Sequence, residues 1–342
     1  MKILKNVSLK LYSTMRLGGT VDYLTEAKTK QDLSEAELWA EKHQLPIRVI
    51  GSGSNIIWRD EGFKGLLVIN KIHGFKKLSE NIASATYQIG AGENWDTIVE
   101  QLVGLKLQGV ECLSLIPGTT GATPIQNVGA YGQEIAQTFI ELEAYDRMEK
   151  SYVTLTNEQC AFGYRTSRFK TVDNGRFLIA NITLRLSKLE PSPPFYDYLQ
   201  KYFDEQKITE PTLIQIRKAV ITIRSAKLPD PAKVANNGSF FANPIISDKD
   251  FKTLQKKYPK ITAWVVPHNK QKISAAWLVE AAGFKGQKDP ETGMTTWKHQ
   301  ALVLVNEKAK STQDLLDYQQ KITDTVQTMF GINLEREPEL LP

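Results

Sequence analysis

Ser239 sits in NNGSFFANP, residues 236–244, between a glycine and two phenylalanines, with asparagines on both sides. A hydroxyl in that setting is either a turn residue or a proton donor in a dry pocket. Serine is a poor acid in water, so it donates a proton usefully only where water is excluded and a neighbouring cation stabilises the alkoxide. Phe240 and Phe241 would exclude the water, and Gly238 would allow close backbone approach.

Two glycine-rich stretches could hold a phosphate. GSGSN at 51–55 follows a short apolar strand, and such turns aim backbone N–H groups at an anion. It fails the dinucleotide fingerprint, because Ile56 stands where the third glycine belongs. The 113–134 stretch carries glycines 118, 121, 129 and 132 beside Thr119, Thr120, Thr123, Gln126 and Asn127. Its length and its apolar residues argue for an ordered functional loop. Together the two stretches could hold a pyrophosphate and the polar edge of a ring.

Arg165, in FGYRTSRF, lies among aromatics where a guanidinium could clamp a carboxylate through two bonds; a surface ion pair is the plainer alternative. Glu335, Glu337 and Glu339 alternate in the tail, a pattern that also fits a solvated terminus. His43, His73, His268 and His299 show no metal-ligand spacing, so no metal is expected. Cys112 and Cys160 make neither a disulfide framework nor a CxxC pair.

The elements that must carry these residues are mixed. VDYLTEA (21–27), PIRVI (46–50) and GLLVIN (65–70) read as strands, and the helix after the first has Thr29 as its N-cap. A helix is expected from about Trp95 to Leu105. Thr156 and Gln159 fit a capping box. FIELEAYDR, SYVTLT, FLIANITLRL and ALVLVN read as strands. TEPTLIQIRKAVITIR reads as a helix with Pro211 in its first turn, and further helices are expected at SAAWLVEAAGF and up to about Phe330. Strands and helices do not alternate strictly, which argues α+β rather than a doubly wound sheet.

The chain has 342 residues, a net charge of +5 and 41% hydrophobic residues. That length exceeds one ordinary core. The basic residues are scattered, so no nucleic-acid surface is indicated. No apolar run reaches membrane length, and MKILKNVSLKLY lacks an apolar signal region, so a cytoplasmic protein without membrane contact is the expectation.

In order and sequence, GSGSN, GAGENW, IPGTTGATPIQNVGAYGQE, FGYRTSRF, KLPDP, GSFFANP and HQALVLVN resemble the UDP-N-acetylenolpyruvoylglucosamine reductase family, type I members included, from about Ser13 to Glu337. The resemblance implies a vanillyl-alcohol-oxidase-type FAD scaffold: residues 1–70 and 71–223 as its two parts, 224–328 as a substrate domain, and a tail, 329–342, returning to the site. It implies non-covalent FAD at Gly51, Ser52, Gly53, Ser54 and Asn55. The second stretch adds Gly118, Thr119, Thr120, Gly121, Thr123, Gln126, Asn127, Gly129, Ala130 and Tyr131.

The implied reaction is NADPH-driven reduction of UDP-N-acetylglucosamine enolpyruvate to UDP-N-acetylmuramate, in peptidoglycan precursor synthesis. Hydride passes from flavin N5 to C3, and a proton from Ser239 to C2. Arg165 holds the carboxylate, and Glu337 acts from the tail, with Glu335 as the other candidate. Tyr196 (or nearby Tyr198), Lys227, Asn243 and Gln300 bind substrate, Lys227 also serving as the cation beside Ser239. The expected working unit is a monomer whose partners are small molecules. The competing readings are another FAD oxidoreductase on this scaffold and a non-catalytic flavin or UDP-sugar binder.

Overall fold

The computed structural model describes residues 1–342. They divide into two units. The first takes Met1–Val7, Val21–Ser52 and Lys64–Arg224; the second takes Ser8–Thr20, Gly53–Phe63 and Ser225–Pro342.

The first unit holds two large sheets, of four and five strands. In the smaller, the strands run in the order Leu4–Ser8, Thr20–Ala27, Phe63–Asn70, Ile47–Ile50, the last two parallel. The Lys30–Lys42 helix begins at a reciprocal cap: Asp32 N–H donates to Thr29 Oγ1 at 3.1 Å, and Thr29 N–H to Asp32 Oδ2 at 2.8 Å. The larger sheet is antiparallel, in the order Ser151–Thr156, Phe139–Asp146, Phe177–Ser187, Ser84–Gly90, Phe75–Glu80.

A bulge decides how the long central strand of that sheet is used. Glu143 pairs with Asn181 but Ala144 with Ile179, so Ala180 is an extra residue. The side-chain phase flips there. Ile182, Leu184 and Leu186 above the bulge face the same core as Ile179 below it. Leu178 and Ala180 join the core of the smaller sheet instead. One strand thereby serves two cores.

The second unit also has two antiparallel three-stranded sheets. One orders Asn236–Ser239, Gln300–Asn306, Met294–Trp297; the other orders Ile245–Ser247, Lys270–Ile273, Ala263–Val266. The Thr312–Phe330 helix starts under two carboxylates. Asp314 closes a capping box with Ser311, and Asp60 accepts from Thr312 N–H at 2.8 Å and Gln313 N–H at 3.0 Å. Negative charge there complements the helix dipole.

Two sequence expectations need correction. Pro211 lies ahead of its helix: Thr212 is the cap, bonded reciprocally with Gln215, and the helix runs Leu213–Lys227. The helices Asp197–Gln206 and Asp248–Lys257 go beyond the sequence expectation. The contact division falls after Arg224 and groups residues 8–20 and 53–63 with 225–342, apart from the rest of 1–70. Met15, Leu17 and Ile57 bury in the core of the second unit, and Ile56–Trp58 pairs in parallel with Glu339–Leu341. Apolar burial and a sheet ladder thus draw 8–20 and 53–63 into the C-terminal unit.

Candidate active site

In the first unit the two glycine-rich stretches meet. A Cβ on Gly51 would lie 2.0 Å from Thr119 Oγ1, a distance only glycine permits. The 118–121 stretch is pinned to GAGENW: Trp95 N–H donates to the Gly118 carbonyl at 3.1 Å, Thr120 N–H to Glu93 at 2.9 Å, and Gly121 N–H to Ala91 at 2.9 Å. The loop is therefore fixed by backbone bonds, with Gly118 and Thr119 partly exposed.

Several polar residues of the loop serve the loop itself. Thr120 Oγ1 donates to Glu93 O at 3.3 Å and Thr123 Oγ1 to Thr120 O at 2.8 Å, both threonines buried. Asn127, also buried, donates from Nδ2 to Glu134 Oε2 at 2.8 Å and to Gly163 O at 3.1 Å, and accepts from Ala136 N–H at 3.2 Å. Ser52 is exposed, and Gln126, Ser54 and Asn55 are half-buried.

Gly129–Ala130 pairs with Gln133–Glu134 in a two-residue hairpin, with Tyr131 at its tip in the left-handed region (φ 50°). Arg165 occupies a second such tip: Gly163 and Thr166 exchange both backbone bonds around it, at 3.0 and 3.2 Å, and its φ is 53°. That backbone is uncommon for arginine and is held by the ring it closes. The guanidinium donates to the Gly129 carbonyl at 2.7 Å, which joins the two tips.

Tyr196 stands at the head of the Asp197–Gln206 helix with its ring edge-on to Tyr131, centroids 5.8 Å apart. Burial pushes both phenol pKa values up. Tyr198 is 51% exposed and Tyr196 half-buried.

Arg224 is a residue the sequence reading did not single out. It hydrogen-bonds Tyr131, its Nε is buried without a partner, and burial lowers its pKa, Arg165 adding to the effect. The available signal was spacing. Arg224 follows Arg217 by two helical turns, and Arg217 is paired with Asp96 at 2.7 Å, so a second cation on that stripe faces inward as well.

In the second unit Ser239 lies at a bulge. Asn236 pairs with Val305 and Ser239 with Val303, so the Ser239 strand spends one residue more than its neighbour. Gly238, at φ 71°, supplies the left-handed step, and Asn236 Oδ1 accepts its N–H at 2.8 Å. The reason for glycine is this φ. No atom lies within 4 Å of where its Cβ would stand, so close backbone approach within the chain is not the cause. Phe240 and Phe241 are fully buried in the core, rings edge-to-face at 5.2 Å. They anchor the strand while Ser239 stays partly exposed.

The tail lies alongside this segment. Phe241 bridges Arg336, Glu337 N–H donates to Phe240 O at 2.9 Å, and Ala242 N–H to Glu335 O at 2.9 Å. The Arg336 side chain goes to Gln319 of the Thr312–Phe330 helix, at 3.0 Å, and burial lowers its pKa. Alternation then sends Glu335 and Glu337 to the other face. Glu335 is exposed and Glu337 half-buried.

Asn243 Oδ1 accepts from Ala275 N–H at 2.9 Å, at the start of the Ala275–Ala281 helix, leaving its NH2 end as a donor. Gln300 Oε1 accepts from Leu302 N–H at 3.3 Å, and Lys227 is half-buried. The fold therefore brings Ser239 and Glu337 together in one unit. In the other it gathers Arg165, Tyr131, Tyr196 and Arg224.

Comparison with known proteins follows these lines. Residues 21–151 match the FAD binding domain family, and residues 230–341 the C-terminal domain of UDP-N-acetylenolpyruvoylglucosamine reductase. The curated UDP-N-acetylenolpyruvoylglucosamine reductase of Ralstonia nicotianae is 37% identical over 333 residues, covering 96% of each chain. That of Pseudomonas syringae pv. syringae is 37% identical, covering 98% of this chain and 97% of its own. The crystal structure of the Thermus caldophilus UDP-N-acetylenolpyruvylglucosamine reductase matches the whole fold with a TM-score of 0.69 at 21% identity. The chain belongs to the UDP-N-acetylenolpyruvoylglucosamine reductase family.

Proposed function

We propose that this protein reduces UDP-N-acetylglucosamine enolpyruvate to UDP-N-acetylmuramate, with FAD bound non-covalently and NADPH as reductant. Full-length identity to curated reductases supports the activity. The observation that carries the residue roles is the tail seated beside the Ser239 strand, with Glu337 N–H on the Phe240 carbonyl at 2.9 Å.

The residues present fit FAD. A Cβ at Gly51 would strike Thr119 Oγ1, so glycine there lets the two stretches pack side by side. Backbone N–H groups of 51–55 and 118–121 suit a pyrophosphate. Gly129, Ala130 and Tyr131, on the hairpin joined to Arg165, would meet the ring system. When bound, FAD supplies two-electron transfer from NADPH to the substrate double bond.

The chain's own residues do the rest. Reduction leaves negative charge at C2 that spreads into the adjacent carboxylate. Arg165 stabilises that charge, because its fork stays protonated and matches a carboxylate. Ser239 gives its proton to C2, and Lys227 lowers the cost of the alkoxide left behind. Glu337 orients the substrate at the same strand. Tyr196, with its ring against Tyr131, closes over the diphosphate, and Asn243 and Gln300 line the substrate side.

No helix is long and apolar enough to cross a membrane. The reading is of a cytoplasmic monomer acting on small molecules. NADPH oxidation by the purified protein should require the enolpyruvyl ether, and the product should gain two hydrogens in mass. Oxidation that ignores the ether, or none in its presence, contradicts the assignment.

A further inference from the structure

Asn237 lies between Asn236 and the bulge glycine and is 6% exposed. Its Nδ2 donates to Thr14 Oγ1 at 3.1 Å, to the Ser54 carbonyl at 3.1 Å and to the Ile56 carbonyl at 3.2 Å. Thr14 completes the mesh. Its hydroxyl donates to the Ser54 carbonyl at 3.4 Å, its N–H to the Gly53 carbonyl at 3.1 Å, and its carbonyl accepts from Asn236 N–H at 3.1 Å. The Ser239 strand is thus bolted to residues 53–56, the second half of the GSGSN turn and the residue after it.

The amide cannot be turned around. Two of its three partners are carbonyls, which accept only from the NH2 end. Its Oδ1 is buried with no partner, a cost that a smaller apolar residue would avoid. The donor end therefore accounts for asparagine here. Beside it, Gly238 at φ 71° is the softest point of the strand, so the position of Ser239 depends on what fixes residue 237.

We propose that Asn237 is a positioning residue for proton transfer: it registers the Ser239 bulge against the 53–56 segment, so that the proton donor and residues 53–55 of the turn share one rigid frame. The proposal rests on the reading of Ser239 as proton donor. A proton donor displaced by about 1 Å costs on the order of a hundredfold in rate.

The test uses the holoenzyme of Asn237→Ala and of Thr14→Val. In Asn237→Ala, amide hydrogen exchange should accelerate together in 53–58 and 236–241. Rapid mixing should show reoxidation by the enolpyruvyl ether slowed about ten- to a hundredfold, with reduction by NADPH within about threefold of normal. Thr14→Val removes one of the three acceptors and the hydroxyl's own bond to the Ser54 carbonyl. It should shift the same half-reaction less than Asn237→Ala. Where Asn237→Ala fails to keep flavin, Thr14→Val decides alone.

Equal slowing of both half-reactions, unchanged reoxidation, or faster exchange confined to 236–241 overturns the proposal. Ser239→Ala run alongside separates the causes. If it reoxidises normally, the reading of Ser239 falls and takes this proposal with it. If it is slow while Asn237→Ala is normal, the positioning role alone is wrong.

Discussion

Ser239→Ala should leave reduction by NADPH near its normal rate and slow reoxidation by the enolpyruvyl ether about a hundred- to ten-thousand-fold, the usual worth of a positioned general acid. The two half-reactions differ in one respect that matters here: only the second consumes a proton at substrate C2. In the proposed mechanism Ser239 gives it, from a backbone held at both ends. Phe240 and Phe241 anchor it in the core on one side, and Asn236 caps the bulge on the other. Lys227→Ala should slow the same half-reaction and also weaken diphosphate binding. Ser239→Cys should keep more activity than the alanine, since a thiol still donates a proton. Rapid-mixing absorbance of the pre-reduced enzyme against saturating ether reads all three. Wild-type reoxidation in Ser239→Ala would make the hydroxyl a turn residue.

Arg165→Met should lower kcat/KM about a hundred- to a thousandfold, the range for removing a preorganised charge partner of a developing anion. Arg165→Lys should fall between wild type and Met, because lysine keeps the charge and loses the fork. The substituted side chains also lose the bond to the Gly129 carbonyl, now 2.7 Å, so the Tyr131 hairpin should loosen and flavin affinity should drop modestly. The split between kcat and KM carries the meaning. A rise in KM with kcat unchanged would mean that Arg165 binds substrate and product-like states equally and has no part in the chemical step.

Much of the frame was legible from local chemistry. Thr29, Asn94 and Ser274 each cap a helix whose start the apolar spacing had indicated. Thr156 and Gln159 make their reciprocal bonds, at 3.4 and 2.9 Å, around a single 3-10 turn. What local chemistry could not show was long-range. The Ala180 bulge is invisible in FLIANITLRL, because a one-residue phase change looks like a uniformly apolar strand. Met15, Leu17 and Ile57 look like any apolar residues of an N-terminal region, and only the ladder between Ile56–Trp58 and Glu339–Leu341 reveals their unit.

The site divides in the same way. Glycine patterns pointed to Gly51 and the 118–121 stretch, where backbone does the work. They could not tell which polar side chains face outward. Thr120, Thr123 and Asn127, ligand candidates in sequence, also bond to carbonyls of the protein, which sequence could not show. Glu337 could not be told from Glu335 by spacing, because both lie on one face of an extended tail. They differ in exposure, Glu335 being exposed and Glu337 half-buried, while the side chain of Arg336 reaches Gln319.

Electrons from NADPH should reach an enolpyruvyl double bond through a bound flavin. An anaerobic titration tests it most directly. The purified protein should be yellow, and one equivalent of NADPH per flavin should bleach it. One equivalent of UDP-N-acetylglucosamine enolpyruvate should then restore the colour and yield UDP-N-acetylmuramate. Colour that stays bleached in excess ether and returns only with oxygen would contradict the account.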